Sequence, residues 1–171
     1  PVRSQGHVHR VSKHSGWRPP EVYEIWQGRA IIYMQERAQD NPGRCFAVQA
    51  EPGEVVIVPP GWAHATISAD PAVPLSFGAW CDREYGFEYD AVRARGGLAY
   101  FPLLDHGNAL RWAPNPRYHA RELIHKRPRL YGEFEIESAT PIYEQYARHP
   151  SRFDFVSHPY LRTDSWEDFV P

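Results

Sequence analysis

Cysteine is scarce in this chain: two residues, Cys45 and Cys81, in a length of 171. Two cysteines cannot build a disulfide framework, and a reducing cytoplasm is the simplest setting for them. Neither sign of charge is in excess. A formal net charge of −2 lacks the basic surplus that gives nucleic-acid and anionic-membrane binders their affinity, so neither partner is expected. No apolar run approaches the ~18 residues of a membrane span. No signal peptide is recognisable, although the chain opens on Pro1 rather than Met. Internal repeats and low-complexity stretches are missing as well. The length suits one domain with a substantial core, or one domain with an appendage.

What the chain does hold is a succession of short β-branched and aromatic runs cut by glycine and proline. That pattern predicts an antiparallel all-β fold over residues 1–115. Strands are expected at 5–11, 21–27, 29–36, 44–50, 54–58, 64–69, 73–81, 97–104 and 109–113. Turns fall at Gly28, Asn41-Pro42-Gly43, Glu51-Pro52-Gly53, Pro59-Pro60-Gly61 and Asp70-Pro71-Ala72. Residues 12–20 carry loop chemistry. The character changes after about residue 115. The basic run 117–129 reads as a solvated or subunit-facing segment. A helix is expected over 140–148, with Thr140 at the N-cap and Pro141 at the first helical position. A second short helix is expected over 151–156. Residues 116–171 are too short and too poor in aliphatics for a core of their own, so they read as an extension packed on the barrel.

Histidine is plentiful, with nine residues, and its placement carries the chemistry. His7 and His9 are two apart and share one face of a strand. Glu21 and Tyr23 likewise share a face, with Glu24 on the opposite one, solvated or at an interface. Gly53-x5-Pro59-x-Gly61-x2-His64 places a third histidine just after a tight turn, where glycine relaxes the backbone and proline fixes it. A barrel brings three such strands together with their inward side chains converging. Three imidazoles and one carboxylate suit iron, manganese, nickel, cobalt or zinc. Four protein ligands with positions left open favour Fe2+ or Mn2+ over a closed tetrahedral zinc. Glu21 either joins the ion or stands beside it as a base. Trp62 reads as packing at the barrel mouth, and His14 as an exposed loop histidine.

His7-Val8-His9, Glu21-Val22-Tyr23, Gly28 and Glu51-Pro52-Gly53 through His64-Ala65-Thr66-Ile67-Ser68 resemble the cupin-type glucose-6-phosphate isomerases. The resemblance runs over about residues 4–118, taking in Gly86–Tyr89 and Asn115-Pro116-Arg117-Tyr118. It implies a cupin fold (a double-stranded β-helix, or jelly-roll barrel) with a partly helical C-terminal tail, and strands preceding His7 that this chain lacks. It also implies His7, His9, Glu21 and His64 as metal ligands, with Fe2+ first among the divalent ions. Tyr23 would face the substrate, and Ser4 and Gly6 would lie on its phosphate side. The implied activity is a metal-dependent aldose–ketose isomerisation of glucose 6-phosphate and fructose 6-phosphate, or of a related sugar. That is a cytoplasmic reaction of glycolysis and gluconeogenesis, and a homodimer is expected because a small barrel leaves open sheet edges that need cover. Glu21 would move a proton between C1 and C2, with a hydride shift as the competing mechanism. An Fe2+ cupin dioxygenase and a non-catalytic sugar-binding cupin use the same ligand set. The chain departs from the family at four points. The interval from His9 to Glu21 is longer. Ser68 stands for an asparagine, Cys81 for a tyrosine and Phe87 for a histidine. With Cys81 and Phe87 offering no strong donor to an anion, Ser4, the amides near Gly6, Arg83 or an arginine of 117–129 are the candidates for holding a phosphate.

Overall fold

Turn chemistry divides the first 115 residues into short strands, seen in a computed structural model that describes residues 2–106 and 109–171. Pro1, where the barrel expectation begins, lies outside the described residues. In chain order the elements are β1 (Val8–His9), β2 (Glu21–Gln27), β3 (Ala30–Gln35), β4 (Cys45–Ala50), β5 (Val55–Val58), β6 (Ala63–Ser68), β7 (Ser76–Trp80) and β8 (Phe87–Glu88). There follow α1 (Asp90–Ala94), β9 (Tyr100–Leu104), β10 (Leu110–Pro114), β11 (Leu123–Lys126), α2 (Ile142–Arg148) and α3 (Thr163–Glu167). Short 3-10 helices cover Gly132–Phe134, Pro150–Val156 and Pro159–Arg162.

One sheet runs β11-β4-β3-β6 and a second β5-β2-β7, with the ribbons β1-β8 and β9-β10 beside them. Alternation along each strand sorts side chains into layers. Tyr23, Ile25, Val56 and Val58 of the second sheet meet Ile32, Met34, Phe46 and Val48 of the first, filling the space between them. The outer face of the first sheet, with Ile31, Tyr33, Ala65 and Ile67, is covered by Val92, Leu98 and Tyr118. The outer face of the second, with Val22 and Ile57, is covered by Tyr131, Phe134, Ile142, Phe155 and Phe169 of the C-terminal extension. The fold is therefore all-β with a partly helical tail, two sheets closing on one interior as a cupin barrel does.

Gly28 joins β2 to β3 at φ 75°, and a β-carbon there would come within 2.6 Å of the Pro74 carbonyl oxygen. Only glycine satisfies both the dihedral and the approach.

The tail departs from the expected pattern in three ways. Leu123–Lys126, inside the basic run, is a strand that pairs parallel with β4, Leu123 opposite Cys45. The four-residue segment is too short for its alternation to register, and its partner lies far away in sequence. Pro141, rather than Thr140, occupies the N-cap of α2, at φ −54°, ψ 139°. Gln145 does the local bracing instead: its amide donates to the Thr140 carbonyl at 2.6 Å, and its Oε1 accepts from the Glu137 amide at 2.8 Å. Finally, Glu24 of β2, expected to be solvated or at an interface, is buried beneath the extension.

Candidate metal centre

β2 presents Glu21 and Tyr23 to the interior because the strand alternates and its other face is claimed by Val22 and Glu24. β6 presents His64 from directly opposite Met34. Residues 3–7 run along the free edge of β6 through bridges Arg3–Ile67 and His7–His64, which brings His7 and then His9 to the same place. One ligand atom from each of His7, His9, Glu21 and His64 lies within 4.8 Å of the others. All four residues are at most 8% exposed.

Each ring is held from behind. His7 Nδ1–H donates to the Gln5 carbonyl at 2.9 Å, His9 Nδ1–H to Pro19 at 3.0 Å and His64 Nδ1–H to Trp62 at 3.1 Å. Donation at Nδ1 sets the tautomer and turns every Nε2 toward the common centre, the arrangement in which imidazole serves as a metal ligand. Glu21 Oε2 sits 2.7 Å from His64 Nε2 and 3.2 Å from His9 Nε2, and accepts from the Tyr23 hydroxyl at 3.0 Å. His7 Nε2 is buried and has no hydrogen-bond partner among the described residues. A buried acceptor left bare costs about 1–3 kcal/mol, a debt that an ion at this point removes. Three neutral imidazole nitrogens and a carboxylate are a donor set suited to a divalent cation.

The electrostatics agree. Burial, then the neighbouring His64, pulls His7 down to about 4, so it is neutral at physiological pH. Burial tends to raise Glu21, but the close contacts with His64 and His9 outweigh it and hold the carboxyl well below the usual carboxylate range. Tyr23 is pushed well above its ordinary value by burial and by the Glu21 charge, so its hydroxyl remains a donor.

The loop 12–20 has a structural job here. Its Pro19 carbonyl is the acceptor that orients His9. Arg18 reaches the His9 carbonyl and pairs with Glu88 at 2.8 Å. His14 stays exposed in this loop, 3.6 Å from Glu84. Trp62 stacks on Phe46 with ring centroids 5.9 Å apart, a packing role.

The other residues singled out from the sequence are distributed as follows. Ser4 is exposed, and its Oγ accepts from the Thr66 amide at 2.9 Å, pinning the N-terminal segment to β6. Gly6 lies against Leu98: a β-carbon would come within 2.7 Å of its Cγ. Close packing therefore already requires glycine at that position. Cys81 continues the β2–β7 register one step past Val22–Trp80, opposite Glu21. Burial first, then the Glu21 charge, pushes its thiol up to about 12. Phe87 pairs with His9 across β1–β8 and sets its ring 4.5 Å from His7. The arginines of 117–129 are engaged elsewhere, Arg127 with Glu51 and Glu54, Arg129 with Glu133, Arg121 with Asn41 and Arg117 with the Ala94 carbonyl.

A cavity of about 610 Å³, lined by Arg3, Ser4, Thr66, Ser68, Leu75 and Phe77 among others, approaches Tyr23 through Thr66 and Phe77. Thr66 interacts with the Tyr23 hydroxyl, and Phe77 packs on the Tyr23 ring at 5.7 Å. Sequence reading passed over Thr66 and Phe77. The signal was there for Thr66, which shares its strand face with His64. For Phe77 only the β2–β7 register reveals it.

A jelly-roll interior with a buried His-His-Glu-His constellation defines a cupin-type protein with a cluster suited to a metal ion. A family model described as Glucose-6-phosphate isomerase (GPI) matches residues 2–119, and the chain belongs to that family. It is 27% identical to the "Glucose-6-phosphate isomerase" of Thermococcus gammatolerans over 115 residues, which is 67% of this chain and 54% of that protein. It is 26% identical to that of Thermococcus onnurineus over 117 residues, 68% of this chain and 56% of that one. The protein of the same name from Pyrococcus abyssi is 27% identical over 115 residues, again 67% and 54% of the two chains. The chain thus spans about half the length of these relatives.

Proposed function

We propose that this chain is a metal-dependent aldose–ketose isomerase interconverting glucose 6-phosphate and fructose 6-phosphate, or a closely related sugar pair. The observation that carries the reading is the convergence of three Nε2 atoms and Glu21 on one buried point, with His7 Nε2 bare, in a chain of this family. His7, His9, Glu21 and His64 would hold the ion, with Fe2+ first among the divalent candidates. When bound, such an ion supplies Lewis-acid polarisation of the sugar's C1 and C2 oxygens. Glu21, which accepts from Tyr23 and lies beside His9 and His64, would carry the proton between C1 and C2.

The strand geometry orders the substrate. Thr66 is two residues beyond His64 on the inner face of β6, about 7 Å along the strand. A sugar with C1 and C2 at the ion directs its far end toward Tyr23, Thr66, Ser4 and Gly6, and so into the cavity. Arg3 is the cation lining that end among the described residues, and its charge suits a phosphate. Phe87, packed against His7 and His9, would keep water from the reacting end. Free thiols at Cys45 and Cys81 suit the cytoplasm, where this reaction belongs to glycolysis and gluconeogenesis.

The test is metal analysis of the purified protein followed by isomerase assays on a panel of phosphorylated and free sugars. Interconversion of glucose 6-phosphate and fructose 6-phosphate is expected only with metal present. Equal affinity for glucose and glucose 6-phosphate would remove the phosphate half of the reading. Turnover that requires O2 would replace it with an oxygenase.

A further inference from the structure

Residues 120–171 of the C-terminal extension lie beyond the family match, and part of this segment covers the back of β2. Val22, between Glu21 and Tyr23, is fully buried under Phe134, Ile142 and Phe155. Glu24 also points to this outer face and is 6% exposed. Its two carboxylate oxygens are divided between two elements. Oε1 accepts from the Ile142 backbone N–H at 3.2 Å, the first residue of α2 and 118 positions away. Oε2 accepts from Trp26 Nε1–H at 3.0 Å. The Trp26 ring in turn lies over Gly78 on β7, where a β-carbon would come within 2.5 Å of it, and Gly78 is opposite Glu24 in the sheet register. The neighbouring strand is tied in the same manner: Ile57 N–H, at the edge of β5, donates to the Tyr131 hydroxyl at 3.3 Å. A carboxylate this deep, with no cation on it among the described residues, is costly unless hydrogen bonds satisfy it, and those bonds fix its position.

We propose that Glu24 is a positioning residue for the metal centre. Through Ile142 it ties the extension to the back of β2, and through Trp26, whose ring lies over Gly78, it braces β2 against β7, and so holds Glu21 and Tyr23 at the height where they meet His9 and His64. The physical basis is the shared backbone. Glu24 is one residue from Tyr23 and three from Glu21, and rotation or slippage of β2 moves both faces together. The four ligands come from three separate chain segments, so their convergence depends on β2 keeping its place against β1 and β6. This proposal rests on the cluster being a metal centre, not on which sugar it acts upon.

The experiment measures Co2+ affinity by chelator competition, with the Co2+ absorption spectrum as a report of coordination, on the full chain. Glu24→Ala removes both acceptors. Glu24→Gln keeps one oxygen and should partly rescue it. Trp26→Phe deletes only the indole N–H. Tyr118→Phe is the comparison, since the Tyr118 hydroxyl donates to the Gly97 carbonyl on the opposite side of the molecule, over the outer face of the first sheet. Glu24→Ala is expected to weaken Co2+ binding about tenfold, as loss of outer supporting contacts does, with a changed spectrum. Glu24→Gln and Trp26→Phe should lie between it and wild type, and Tyr118→Phe should bind as wild type does. Where Glu24→Ala fails to fold, the two milder variants decide. Wild-type affinity and spectrum in both of them, at whatever melting temperature, would overturn the proposal and leave the extension a stabilising cover. No Co2+ binding by the wild-type protein would instead remove the metal reading on which it stands.

Discussion

Glu21 and Tyr23 lie one pleat repeat apart and are joined by a 3.0 Å hydrogen bond, yet the proposed roles differ, so their substitution should separate binding from turnover. Glu21→Gln preserves an oxygen for an ion but removes the base, and turnover is expected to fall by ~10²–10⁴-fold with metal retained. Near-normal turnover in that variant would favour a hydride shift. Tyr23→Phe leaves the ring packed on Phe77 and removes only the hydroxyl, so the Michaelis constant should rise more than turnover drops. The histidines should respond as a set. His9→Ala and His64→Ala are each expected to lose metal while keeping a folded barrel, because their rings contribute little to the apolar interior. Metal analysis beside a far-ultraviolet circular dichroism spectrum checks this, and full metal content in both proteins would place the ion elsewhere.

Among elements, the β2–β3 corner has the least freedom. Gly28 combines a left-handed backbone with a 2.6 Å approach to the Pro74 carbonyl. Gly28→Ala should therefore destabilise the protein by about 1–3 kcal/mol, read from denaturant unfolding. A midpoint equal to the parent's would mean the turn adapts. The turn residues made this corner visible in the sequence, as they did the hairpin at Pro42-Gly43 and the Pro59-Pro60-Gly61 approach to His64. Each is a local rule about φ that no distant contact overrides. The parity that put Glu21 and Tyr23 on one face is equally local, and the strand carries both inward. Glu24 shows where such reading stops. Parity placed it outward, but which element covers that face is decided by a segment more than a hundred residues away.

For the whole molecule, sheet edges are the controlling feature. The β4 edge is taken by β11, the β6 edge by residues 3–7, and the β5 edge meets Tyr131. β7 pairs only with β2 among the described residues, with Phe77 and Val73 exposed near it. Open edges bearing apolar side chains favour association, so a homodimer is expected in solution. Sedimentation at micromolar concentration checks it, and a single monomeric species would reject it.

The sequence by itself determined the succession of strands β1 to β7 with β9 and β10, the inward faces of β2 and β6, and the histidine and glutamate types able to meet at an ion, because all of these follow from period-two alternation and turn chemistry over a few residues. Tertiary structure alone decided the rest. It made the 12–20 loop the partner that orients His9. It set Cys81 opposite Glu21 and Phe87 against His7, turned part of a basic run into a parallel strand, and buried Glu24 under α2. Those outcomes depend on contacts between residues tens to more than a hundred positions apart. No local pattern encodes them, since they exist only once the sheets have closed and the extension has packed against their outer face.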